Sequence, residues 1–337
     1  MATTILLLIF LTLFSSASSA AAAACNKKDE SALLAFKNSF RYSSLTSWSR
    51  STDCCSSWDS VSCDSASGRV TTLRFFNDYD MPESIFLNGS IPAAIGDLSE
   101  LEHVDFSRIS SLEGTIPPQL LKLKKLQSLQ ISQTQVSGPV PHFLSELASL
   151  KGLELRYNRL SGPIPASLGN LVHLTSLTLS GNRLTGAVPA SLFSKLPKGS
   201  LASLALSENK LTGTVPKSFA SVPFSSVYLD NNKLTGDALF LFGRSKPTVH
   251  INLARNSLAF DFGKAVFPPS MEYIDISHNE IYGSIPYGIT KLRNLNYFDV
   301  NSNKLCGKIP PNGGRLLSPE NYAHNKCLCG GPLKPCK

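Results

Sequence analysis

The sequence predicts an α/β repeat solenoid with a cysteine-rich cap at each end. Three observations carry that prediction. The stretch LKGLELRYNRLSGPIPASLGN at residues 150–170 returns 24 residues later as LTSLTLSGNRLTGAVPASLFS, with Leu, Asn, Gly and Pro kept and the residues between them changed. All eight cysteines fall in two groups of four, one near each end of the chain. A chain of 337 residues with only 17% charged side chains can bury a long core.

Residues 1–24 read as a secretory signal. Ile5 to Phe14 is a short apolar core, followed by a Ser/Ala tail rich in small-residue cleavage sites, although no Lys or Arg precedes it. The apolar run is too short to span a bilayer, and no later segment spans one. The mature chain is therefore expected to be secreted and soluble, starting at or just before Cys25.

Residues 25–69 are expected to cap the stack. DESALLAFKNSF reads as an amphipathic helix with Leu33, Leu34 and Phe36 inward. Trp48 and Trp58 are expected to shield the first coil; ligand stacking is their alternative role. Cys25, Cys54, Cys55 and Cys63 lie here, and Cys306, Cys327, Cys329 and Cys336 lie at the other end. An even number in a secreted chain argues for disulfides, and spacing alone permits three connectivities within each group. Zinc binding is the rival reading, but the paired C-x₂₋₄-C spacing of a tetrahedral site is missing. No metal or other cofactor is expected.

Residues 70–310 hold ten units of mostly 23–25 residues, written L-x-x-L-x-L-x-x-N-x-L-x-G-x-I-P. That is a leucine-rich repeat superhelix. In LELRY, Leu153 and Leu155 alternate with Gly152, Glu154 and Arg156, as in a strand with one buried face. The Asn place is filled by Asn158, Asn182, Asn209, Asn232, Asn256, Asn279 and Asn303, with Thr134 in one unit and Ile109 near it in another. Such side chains are placed to bond backbone groups and form a ladder. Gly162 permits a tight backbone and Pro165 fixes φ where no donor is needed. No unit buries its leucines alone, so neighbours must stack. Residues 311–337 then form the C-terminal cap.

The varied residues should face outward on a parallel sheet lining the concave side, about 45 Å long for nine strand intervals. One column reads Asp105, Gln130, Glu154, Thr178, Ala205, Tyr228, Asn252, Asp275 and Asp299; its neighbours contribute Arg156, Ser180, Asp230 and Tyr297. This acidic, hydroxylic face, with tyrosine anchors, suits a protein partner. Asp275 and Asp299, on adjacent strands, match the carboxylate separation of a retaining glycosidase. An open sheet excludes no water, however, and no histidine falls in a catalytic or metal motif, so the chain is not expected to be an enzyme. A second column, Arg159, Arg183, Lys210 and Lys233, forms a basic stripe on another face, suited to pectate or to plain solvation. The net charge of +8 is too dispersed for nucleic-acid binding. Asn88-Gly89-Ser90 is a glycosylation sequon lying off the concave face.

The G-x-I-P form of the repeat resembles the plant extracellular leucine-rich repeat. CNKKDESALLAFKNSF, LTSW, DCCSSWDSVSCD, ISQTQVSGPVP, GDALFLFG and HNKCLCGGPLKPCK together resemble the polygalacturonase-inhibiting proteins over the whole mature chain. The resemblance implies a cell-wall protein whose concave face blocks the cleft of fungal or insect endopolygalacturonases. It also implies pairing of Cys25 with Cys54, Cys55 with Cys63, Cys306 with Cys327, and Cys329 with Cys336. The chain departs from the family at Glu154-Leu155-Arg156, where Asp-Leu-Ser is usual, and at Tyr228 and Asp230, where Asp and Ser are usual. A non-inhibitory interaction protein, acting in development or receptor signalling, is the alternative implied by such relatives; ice binding is a third.

Overall fold

Alternating leucines build the spine. The computed structural model describes residues 23–78, 85–311 and 318–336; most of the expected signal segment lies outside them. Ten parallel strands, from Val70–Phe76 through His103–Ser107 to Tyr297–Asp299, form one sheet, and Val61–Cys63 adds an antiparallel strand at its first edge. Equivalent residues of successive units pair across it. Leu73, Val104, Leu129, Leu153, Leu177, Leu204, Val227, Ile251, Ile274 and Phe298 make one unbroken inward row, all of them buried. Each such side chain contributes about 1.5–3 kcal/mol, but only when a neighbouring coil covers it.

Past the strand, the chain turns on the asparagine. Asn182 donates to the carbonyls of Leu155, Leu179 and Ser180 at 2.8, 3.0 and 3.2 Å, and accepts from the Leu160 N–H at 3.0 Å. The same set recurs at Asn209, Asn232, Asn256, Asn279 and Asn303. Thr134 substitutes by giving its N–H and hydroxyl to Asn158 Oδ1 and accepting from the Val136 N–H. Two members stand outside the sequence-derived set. Asn77 opens the ladder, bonding the carbonyls of Ile85 and Arg108, and Asn325 closes it on Val300 and Tyr322. From Thr134 onward the residue before each rung is left-handed, as at Tyr157, Glu208, Asn231 and Arg255, with φ of 53–55°. Gly181 takes that place once, at φ 68°, and a Cβ there would stand 2.2 Å from Tyr157 Cδ1.

Beyond the turn, six short parallel strands (Ser137–Pro139, Arg159–Pro163, Arg183–Ala187, Lys210–Thr214, Lys233–Gly236 and Ser257–Leu258) make a second sheet. Its register is offset. Arg183 pairs with Ser161, Lys210 with Thr185 and Lys233 with Thr212, two residues beyond the equivalent position each time. The chain then returns through 3₁₀ turns such as Ala166–Asn170 and Lys217–Ser221, entered from Pro165 and Pro216. Five residues are too few for an α-helix of useful length, and proline sets only the entry.

Both ends of the core are closed. The capping helix α1 (Lys27–Asn38) turns Leu33 and Phe36 inward, while Leu34 is only half-buried. Phe36 stacks on Phe75 at 5.7 Å, and Trp48 on Trp58 at 5.3 Å. Both indoles are buried, and their N–H groups are occupied by the Asp59 carbonyl and the Thr52 hydroxyl, so these rings seal the coil and leave no open face for a ligand. Arg69, unforeseen in the sequence, clamps fully buried Asp29 through two hydrogen bonds of 2.8 and 3.1 Å, joining helix to sheet. Disulfides join Cys25 to Cys54, Cys55 to Cys63, Cys306 to Cys327, and Cys329 to Cys336. At the far end Tyr322 covers Phe298.

Asn182→Ala takes the acceptor from the Leu160 N–H, while the Leu155, Leu179 and Ser180 carbonyls each keep one donor, from Asn158, Asn209 and the Tyr157 N–H. It should cost about 1–3 kcal/mol in denaturant unfolding. A loss below about 0.5 kcal/mol would mean that water replaces the rung without penalty.

Candidate protein-binding face

The outward residues of the first sheet stand in straight rows. Asp105, Gln130, Glu154, Thr178, Ala205, Tyr228, Asn252, Asp275 and Asp299 pair in register from strand to strand. Arg74 begins the row ahead of Asp105. It is absent from the sequence-derived set because its unit lacks the repeat pattern; the alternation of Leu73, Phe75 and Asn77 around it was the available signal.

The row divides into two chemistries. At the N-terminal end Arg74, Arg108 and Arg156 ring a pocket of about 330 Å³ with Asp105, Gln130 and exposed Phe76. Arg156 Nε lies 2.6 Å from Glu154 Oε1, so the unusual pair neutralises itself. Ser107 donates to Asp105, and Gln130 donates to Ser107. Burial pushes the Asp105 and Glu154 carboxyls up, against the opposing pull of Ser107 and Arg74 on one and Arg156 on the other.

At the C-terminal end the face is aromatic. Tyr228, His250, Tyr273 and Tyr297 follow one another at centroid spacings of 6.3, 6.2 and 4.5 Å, and the last two rings are within 6° of parallel. Burial pushes the Tyr273 phenol well above its ordinary range, and the Asp275 carboxylate adds to the rise. Asp230 is held by Ser207 and Asn231. An aromatic stack edged by carboxylates can bury apolar area against a partner and still meet cationic side chains.

Three residues expected on the open face are covered. Ser180, Asp275 and Asp299 retain 8%, 9% and 8% of their surface. These side chains are short, and strands only about 4.8 Å apart let longer neighbours close over them. Asp299 Oδ1 is taken by the backbone and side-chain N–H groups of Asn301, and Asp275 Oδ1 by the Ser277 N–H. Neither carboxylate presents the free, paired oxygens of a glycosidase.

On the second sheet Arg159, Arg183, Lys210 and Lys233 are all exposed. The two-residue offset shifts each about 6.6 Å along the strand for about 4.8 Å across, so successive Cα atoms lie about 8 Å apart on a slanting line. The stripe is wider than one coil. The only group of three potential metal ligands among the described residues is Cys25, Cys54 and Cys55, all locked in disulfides.

Comparisons agree with this architecture. Residues 26–64 match the leucine rich repeat N-terminal domain, and residues 124–184 and 270–292 match leucine rich repeats. A polygalacturonase inhibitor of Pyrus communis is 54% identical, over 92% of this chain and 91% of its own. Leucine-rich repeat protein FLOR 1 of Arabidopsis thaliana is 52% identical over 92% of each. The crystal structure of a plant ice-binding protein superposes with a TM-score of 0.85 at 39% identity, covering 94% of this chain and 99% of its own.

Burial, reinforced by the Asp299 and Asp230 carboxylates and opposed by Ser277, holds the Asp275 carboxyl above its ordinary 3.8. Between the unfolded and folded values the native state binds more protons, so this group's contribution to stability falls as pH rises through that window. Asp275→Asn keeps an acceptor for Ser277 and removes the charge. It should therefore be stabilised relative to the parent at pH 7, with the difference shrinking as pH falls toward about 3.5. A constant difference across that range in denaturant unfolding would refute the assignment.

Proposed function

The chain belongs to the polygalacturonase-inhibitor family of leucine-rich repeat proteins, and from that membership we propose that it inhibits fungal or insect endopolygalacturonases in the plant cell wall. The concave face docks over the enzyme's substrate cleft. The observation that carries this reading is the tyrosine row edged by carboxylates on a face too long and too open for a small molecule. A cleft built for polygalacturonate must present cations, and half-buried Asp230, two residues beyond Tyr228, offers a carboxylate to meet them. Secretion to the apoplast follows from the leader expected at residues 1–24. The scaffold holds its partner without chemistry of its own.

A second reading is favoured by one contact. The Arg156–Glu154 ion pair cancels charge in the acidic row, and FLOR 1 shares the scaffold under a name that records no inhibition. On this reading the protein binds a wall or receptor-complex partner in development or signalling. Ice binding has less support, because the rows mix Asp, Tyr, Arg and Ala where ice needs a regular array. Homogalacturonan is proposed as a second ligand, lying on the slanting stripe through many weak charge contacts.

Reducing-end release from polygalacturonate by a panel of fungal endopolygalacturonases should fall in a dose-dependent way. Inhibition of none by well-folded protein would favour the second reading. Tyr228→Ala should weaken inhibition about 5- to 150-fold, the range of about 1–3 kcal/mol for a central anchor; an unchanged constant would move the contact elsewhere. Replacing Arg159, Arg183, Lys210 and Lys233 with Gln should lower retention on immobilised pectate, and its salt sensitivity, while leaving enzyme inhibition intact. Unchanged retention would leave the stripe as a solvated edge.

A further inference from the structure

Tyr42 is the most open large hydrophobic side chain among the described residues, 74% exposed. It lies in the N-terminal cap, on the two-residue strand Tyr42–Ser43, which pairs antiparallel with Leu87–Ser90 of the first coil. Its partner across the ladder is Asn88. Directly opposed residues on antiparallel strands share a face, with Cβ atoms about 4.5–5.5 Å apart. Phe86, 38% exposed, stands two residues before Asn88 and is bonded to Ser44 of the cap. Residues two apart on an extended chain share a face. Both rings therefore flank one asparagine, and that asparagine heads the sequon Asn88-Gly89-Ser90. The Asn88 side-chain amide has no hydrogen-bond partner among the described residues, while its backbone carbonyl is held by the Arg41 N–H at 3.0 Å.

We propose that Tyr42 and Phe86 form an aromatic platform for the first sugars of an N-linked glycan on Asn88, and that the glycan staples the cap to the first coil. The inference rests on passage through the secretory route, not on the inhibitor reading. The donor is an oligosaccharide on a lipid pyrophosphate. Its C1–O bond to the pyrophosphate breaks, C1 bonds Asn88 Nδ2, the amide loses one proton, and the lipid pyrophosphate leaves. An N-acetylglucosamine ring carries one face of C–H groups, which match the negative face of an aromatic ring. Tyr42 belongs to the cap and Asn88 to the repeats, so a sugar lying across both ties the two units together. The sheet that holds Asn88 is separate from the concave sheet, so the glycan leaves the binding face open.

The test is secretion of the full chain from a yeast host, with mass spectrometry of the Asn88 peptide. The glycan is trimmed to one N-acetylglucosamine, and thermal unfolding is compared with Asn88→Gln. The single sugar should raise the midpoint by about 2 °C or more, and Tyr42→Ala with Phe86→Ala should abolish that difference. Tyr42→Leu, which keeps an apolar side chain but no ring, should reduce it. An unmodified Asn88 peptide, or a shift of equal size without the two rings, overturns the proposal.

Discussion

In most turns of the solenoid one asparagine amide bonds three carbonyls and accepts from one N–H of the preceding coil. The rungs overlap, since the Leu155 carbonyl is shared by Asn158 and Asn182 and the Leu179 carbonyl by Asn182 and Asn209, so the N–H is the group that a lost rung leaves unpaired, at about 1–3 kcal/mol. The same turn asks a side-chain-bearing residue to sit in the left-handed region, at about 1–2 kcal/mol per coil. The amide offsets that cost by tying the bend to the preceding coil, as Asn209 does through the Leu179 carbonyl and the Leu184 N–H. Leucine rows, second sheet and caps all presuppose that bend.

Much of this was legible because it depends on local residue type. Asn158 and its equivalents announce the turn, and period-two alternation announces the rows. Asn77 and Asn325 escaped because the units around them are irregular, although Asn325 makes the same bonds as the other rungs. The Arg69–Asp29 clamp spans 40 residues and has no periodic signature. For the candidate face, identity and row were readable, but exposure was not. Asp275 and Asp299 alternate like open residues, yet neighbouring strands cover them, because coverage depends on side-chain length in the adjacent coils.

The division of the face also depends on stacking. Taken singly, Glu154 and Arg156 are opposite charges, and only their geometry makes them one neutral unit. Taken together, Tyr228, His250, Tyr273 and Tyr297 become a continuous apolar strip. A partner docked on this face would meet guanidiniums at one end and phenols at the other. That polarity would specify its orientation as well as its affinity.

The two sheets do not advance equally. Equivalent residues on the concave sheet stand one strand spacing apart, about 4.8 Å, whereas those on the offset sheet stand about 8 Å apart. A stack whose inner track is shorter than its neighbour must bend and wind, as a staircase does when its treads widen toward one side. The radius of that bend is set by the slip of Arg183 against Ser161 and of its counterparts along the chain. The arc of the concave face thus depends on residues that lie off that face, and a substitution on the far flank would alter the arc while every residue of the face stays the same.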